Sequence, residues 1–125
     1  MKRKYWLKDP EPHDYPAARD YLELEFSPKQ AAQFVAALKR TPTVVKKAKD
    51  VLRAARLPLL DASNIHVKED VRKVRKGRKL SPVLLVHDIG RLVIADGYHR
   101  LCAIYELSED LEIPCRLVHR DRAPL

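Results

Sequence analysis

Around Gly97 the spacing of apolar residues changes period within a few residues. Before it, Arg91-Leu92-Val93-Ile94-Ala95 is a short apolar run of the strand type, and after it Leu101, Ile104, Tyr105 and Leu107 recur at helical spacing. A buried strand that hands over to a helix across one glycine brings the two together, and it sets Asp96-Gly97-Tyr98-His99-Arg100 at the end of a sheet. The neighbouring chain supplies partners for that strand. Pro82-Val83-Leu84-Leu85-Val86 reads as a second buried strand, joined through the turn His87-Asp88-Ile89-Gly90, in which Gly90 suits positive φ. Ile113-Pro114-Cys115-Arg116-Leu117-Val118 reads as a final strand after the helix.

The first half of the chain gives fewer fixed points. Residues 1–16, with Pro10, Pro12 and Pro16 among charges, read as an irregular arm docked through Tyr5 and Trp6. The alternation Tyr21-Leu22-Glu23-Leu24-Glu25-Phe26 predicts a half-buried strand. Ser27-Pro28-Lys29-Gln30 opens a helix, with Ser27 as cap, Pro28 at the first helical position and Gln30 closing a capping box. Thr41-Pro42 repeats the signal. Val44, Val45, Ala48, Val51, Leu52 and Ala55 then predict a second helix ending near Leu57-Pro58, with Lys46, Lys47, Lys49, Arg53 and Arg56 on its other face. A short third helix is expected over residues 68–76, with Val71 and Val74 inward and Gly77 as its stop. The resulting order, β-α-α-α-β-β-α-β, predicts an α/β (α+β) domain with a small mixed sheet, formed by residues 17–125 as one unit.

At 125 residues the chain is long enough for one real core. No apolar run approaches the roughly 20 residues that span a bilayer. Met1-Lys2-Arg3-Lys4 is followed by charge and proline rather than by a signal-type apolar region, so the expected compartment is the cytoplasm. In a reducing compartment Cys102 and Cys115 are expected as free, buried thiols, and the absence of paired Cys/His spacing predicts no structural metal. The formal net charge of +8 is unevenly spread, because residues 39–79 hold 14 Lys and Arg against four acids. Such a segment suits a weak contact with DNA or RNA, although the same charges also make an ordinary solvated face on two helices.

The turn at Gly97 carries the chemistry. The first amides of a helix have no internal partner and its dipole is positive there, so a helix start beside a glycine turn is an anion site. Gly97, Tyr98, His99 and Arg100 are the candidate phosphate or nucleotide contacts: Arg100 can clasp a phosphate through paired hydrogen bonds, and His99 can donate to it or move a proton. Asp96 and His99 are the candidate catalytic pair. Asp96 can act as a base, orient His99 or Arg100, or meet a magnesium ion arriving with a nucleoside triphosphate such as ATP. Two plainer roles stand beside these, Asp96 as a helix cap and His99-Arg100 as a solvated pair.

The string Leu80-Ser81-Pro82-Val83-Leu84-Leu85-Val86, then Ile94-Ala95-Asp96-Gly97-Tyr98-His99-Arg100-Leu101-Cys102-Ala103, then Ile113-Pro114-Cys115-Arg116-Leu117-Val118 resembles the ParB/sulfiredoxin-like superfamily over about residues 58–120. The resemblance implies that family's small mixed sheet and a nucleotide or phosphate site at this turn, with Gly97, His99 and Arg100 at phosphate-contacting positions. Tyr98 stands where sulfiredoxins carry the catalytic cysteine and ParB partition proteins carry a glutamate, so neither of those activities is implied. The match is closest to the DG-HR variant, whose members include kinases acting on free serine and proteins associated with nucleases or DNA modification. The expected function is that of a nucleotide- or phosphate-binding domain, with nucleotide-dependent phosphotransfer or hydrolysis as the activity such a site could carry. The alternatives are a basic nucleic-acid-binding protein without catalysis and a regulatory module with a degenerate site.

Overall fold

The computed structural model describes residues 5–120. Nine elements follow one another: α1 (Asp14–Glu25), α2 (Pro28–Arg40), β1 (Val44–Lys47), α3 (Ala48–Ala55), α4 (Ile65–Arg75), β2 (Val83–Asp88), β3 (Arg91–Asp96), α5 (Tyr98–Leu107) and β4 (Glu112–His119). The four strands form one sheet in the order β1-β4-β2-β3, with β4 parallel to β2 and the other pairs antiparallel. The fold is therefore α+β with a small mixed sheet, as the sequence predicts.

Two apolar layers sandwich the sheet. On one face α1 and α2 bring Ala18, Leu22, Phe34 and Leu38 against Leu84, Val86, Val93 and Ala95. On the other, α3 and α5 bring Val51, Leu52, Leu101 and Ile104 against Val83, Leu85, Ile94, Ile113 and Cys115. The alternation along β2 follows from the two-residue period of a strand, whose successive side chains point to opposite faces. A smaller cluster of Val67, Val71, Cys102 and Ala103 seals α4 onto α5. Both cysteines are free and buried, and burial pushes the Cys115 thiol up to about 11.

Three expectations need correction. Tyr21-Leu22-Glu23-Leu24-Glu25 is not a strand but the end of α1. Asp14, Ala18 and Leu22 are its buried stripe, while Leu24 is left exposed, so the helical period overrides the local alternation. Pro16 does not prevent this helix, because in the first turn a proline removes no internal hydrogen bond. The single basic helix expected after Thr41-Pro42 is divided. Val44–Lys47 form edge strand β1 paired with Glu112–Cys115, and only Ala48–Ala55 are helical. Thr43, Val44 and Val45 are β-branched, and an available strand edge turns that bias into pairing. Thus Lys46 and Lys47 lie on the sheet edge, and Lys49 and Arg53 on α3. Finally, α4 starts at Ile65, where the Asn64 side chain accepts from the amides of His66 and Val67.

Other details match. Ser27 and Gln30 form the reciprocal capping box. Trp6 is buried, and its segment bridges to Leu80 through hydrogen bonds from Leu7 N to Leu80 O and from Leu80 N to Tyr5 O, each 2.7 Å. Pro114 lies in a strand flanked on both sides, yet its own stretch pairs only with β1, since the β2 ladder starts at Cys115 opposite Val83.

Candidate functional site

β3 ends at Asp96 and α5 begins at Tyr98, with Gly97 between them at φ 108° and ψ 15°. An ideal Cβ on Gly97 would stand 2.9 Å from Nη2 of Arg100 and 3.1 Å from Cγ2 of Val83, so both backbone conformation and space demand glycine. No side chain caps α5. Its first backbone bond runs from Leu101 N to Gly97 O at 2.9 Å, which leaves the amides of Tyr98, His99 and Arg100 without partners inside the helix. Asp96 is thus not the cap.

Asp96 is instead held by Arg100. Nη2 of Arg100 donates to Oδ2 of Asp96 at 3.0 Å and to the Pro82 carbonyl at 3.2 Å, while Nε donates to the Ser81 carbonyl at 2.9 Å. The Arg100 and Asp96 side chains are only 16 % and 18 % exposed. Arg100 therefore faces inward and ties the start of α5 to the entrance of β2. Among the described residues its Nη1 makes no hydrogen bond, and this is the part of the guanidinium left for an added acceptor.

The corner also holds residues that the sequence reading did not single out. Asp14, at the start of α1 and almost fully buried, hydrogen-bonds to Asp96; its Oδ2 also accepts the Glu11 amide at 2.9 Å. Loss of water raises the pKa of Asp96 and Asp14 raises it further, while Arg100 opposes both. On the other side, α4 presents His66 and Asp70. The rings of His66 and His99 lie 4.9 Å apart, and those of Tyr98 and His99 5.6 Å. Partial burial lowers the His99 pKa, His66 lowers it further, and Asp70 opposes. Burial raises the Asp70 pKa against the pull of Lys73 (3.8 Å away), Arg100 and His99. Tyr98 turns its hydroxyl aside and donates it to the Pro58 carbonyl, so only its backbone amide faces the turn.

All the predicted turn residues, Asp96 to Arg100, thus share one corner, and Asp14, His66 and Asp70 complete it. His66, Asp70 and Lys73 stand four and seven residues apart on one helical face, a signal that becomes readable once the helix is started at Asn64. Asp14 carries no such signal, because residues 1–16 read as an irregular arm, whereas α1 in fact begins at Asp14. Among the described residues no group of three or more His, Cys, Asp or Glu is placed to hold a metal ion. No helix among them is long and apolar enough to cross a membrane. Compared with protein-family models, with curated proteins and with solved structures, the chain finds no match.

Proposed function

We propose that the Gly97 corner binds the phosphate of a nucleotide and serves a nucleotide-dependent phosphotransferase or hydrolase, in line with the ParB/sulfiredoxin-like resemblance. The observation that carries this reading is the bare start of α5, with three amides free of internal partners beside His99 and His66. In this reading the amides of Tyr98, His99 and Arg100 meet phosphate oxygens, and His99 donates a hydrogen bond to the same group. Asp96, whose pKa is raised by burial, accepts the proton of an attacking hydroxyl or water. Arg100 is a positioning residue that aims Asp96, with Nη1 free to add one contact. A magnesium ion would arrive with the triphosphate and meet Asp96, since the described residues supply no metal cage of their own.

A second reading, a binding module without catalysis, is favoured by one feature. Arg100 spends Nε and Nη2 on the protein rather than on a ligand. Melting curves with ATP, ADP, CTP and GTP, with and without magnesium, test the shared claim. A ligand at a hundred times its Kd adds about 2.7 kcal/mol to stability, a rise of several degrees. No rise with any of the four at millimolar concentration would sink both readings. A rise without release or transfer of phosphate over hours would leave the binding module and exclude the enzyme.

A further inference from the structure

The outward face of α4 is not part of that corner. Seen down the helix, Val67, Val71 and Val74 point into the fold, while Lys68, Arg72, Arg75 and Lys76 occupy the side away from His66 and Asp70. Two clefts open along this face and its end. One, of about 360 Å³, is lined by Ala62, Lys68, Val71, Arg72, Arg75, Lys76 and Glu106. The other, of about 180 Å³, is lined by Glu69, Arg72, Lys73, Lys76 and Arg78. Each holds four cations against one carboxylate, and Arg72 and Lys76 belong to both.

What sets this face apart is that its cations are clustered, and of those lining the clefts only Lys73 has a carboxylate partner, Asp70. Arg19, Arg53, Arg91, Arg116 and Arg120 each hold a carboxylate elsewhere on the surface. Among the described residues, none of Lys68, Arg72, Arg75, Lys76 and Arg78 does. The negative end of the helix dipole offsets part of their mutual repulsion, but it acts only within the last turn. Lys68 lies two turns earlier.

We infer that this face of α4, continued by Arg78, is a docking surface for the phosphodiester backbone of a nucleic-acid duplex. Three features select that partner. From Lys68 to Lys76 the face extends about 12 Å along the helix, which matches three to four base-pair steps at about 3.4 Å each. Neither cleft is lined by Phe, Tyr or Trp, so the surface has no platform for stacking the bases of a single strand. An acidic protein partner would want an apolar centre for its contact, and Ile65 is the one large exposed hydrophobic residue on α4. The contact would read charge and spacing rather than base sequence. It does not depend on what the Gly97 corner binds.

The test is anisotropy of a labelled 20-base-pair duplex, as DNA and as RNA, titrated with the intact protein from 50 to 200 mM salt. About four phosphate contacts predict a slope of log K against log salt near −3.6. Arg72→Glu with Lys76→Glu should weaken binding at least tenfold and flatten the slope. Lys46→Glu with Lys47→Glu changes net charge equally on the far sheet edge and should weaken it less than threefold. All three proteins should melt alike, because exposed charges contribute little to stability. DNA and RNA duplexes should bind within tenfold of each other. The inference is overturned by no binding at 50 mM salt, by equal losses in the two double variants, by tighter binding of a single strand, or by polyglutamate binding as tightly as the duplex.

Discussion

Two helices of this protein begin in opposite ways. α2 starts with Ser27 accepting from the Gln30 amide while Gln30 reaches back to the Ser27 amide, and Pro28 needs no partner. Its exposed start is satisfied by its own sequence. α5 starts on a left-handed glycine with no side-chain cap, and the nearest carboxylate, Asp96, is turned to Arg100 and Asp14. The α2 start secures local stability; the α5 start forgoes it, and long-range contacts from Ser81, Pro82 and Asp14 hold the corner together instead. A helix start maintained by distant elements leaves its own amides available to an added acceptor.

The largest effect should come from Arg100→Ala. It removes three hydrogen bonds, strands the carbonyls of Ser81 and Pro82, and leaves Asp96 without its cation. Breaking a largely buried pair in this way costs about 3–5 kcal/mol, a fall of roughly 10 °C or more in Tm. Arg100→Lys should recover little, because one ammonium cannot span three acceptors in a plane. A melting temperature that stays level would mean that Arg100 is not a clamp, and the contrast between the two helix starts would lose its basis.

Gly97→Ala comes next, at about 2–3 kcal/mol, from left-handed strain plus the contacts with Arg100 and Val83. Gly77→Ala sharpens this, since Gly77 has φ 79° and nothing within 4 Å of an added methyl. It should cost only the strain, about 1 kcal/mol. Equal losses at the two glycines would show that the Gly97 corner is not crowded.

This contrast explains how much the sequence disclosed. β2, β3, α5 and β4 were legible because their signals are local: apolar runs, Gly90 and Gly97 between them, and helical spacing after the turn. The turn residues were legible for the same reason. β1 was not, because Val44, Val45 and Ala48 fit a helical stripe as well as a strand, and the choice is made by Ile113–Cys115 far along the chain. Asp14, His66 and Asp70 were missed because they reach the corner from two other helices, Asp14 from α1 and the other two from α4. What sequence hid is what tertiary packing decides.

Ser27→Ala should cost about 1 kcal/mol, the usual worth of a cap, and should leave any nucleotide-induced rise in Tm unchanged. A change in that rise would couple the α2 start to the corner and weaken the distinction between them.

The smallest effect is one of sign. Asp96 has a pKa raised in the folded state, so the folded protein holds that proton more tightly than the unfolded chain does. Its contribution is fully present below the unfolded value, about 3.9, and is lost as pH rises through the folded one. His99 is depressed, so its contribution is present above about 6.5 and is lost as pH falls. Because the two trends oppose each other, the pH profile of the unmodified protein alone decides nothing. Asp14→Asn separates them. Its amide can still accept from Glu11 and can donate to Asp96, but it removes the second carboxylate, while His99 is untouched. The Tm of Asp14→Asn minus that of the unmodified protein should therefore climb as pH rises above the unfolded value of Asp96, about 3.9. A difference that stays flat would mean that Asp14 does not raise the pKa of Asp96, and that burial alone does so.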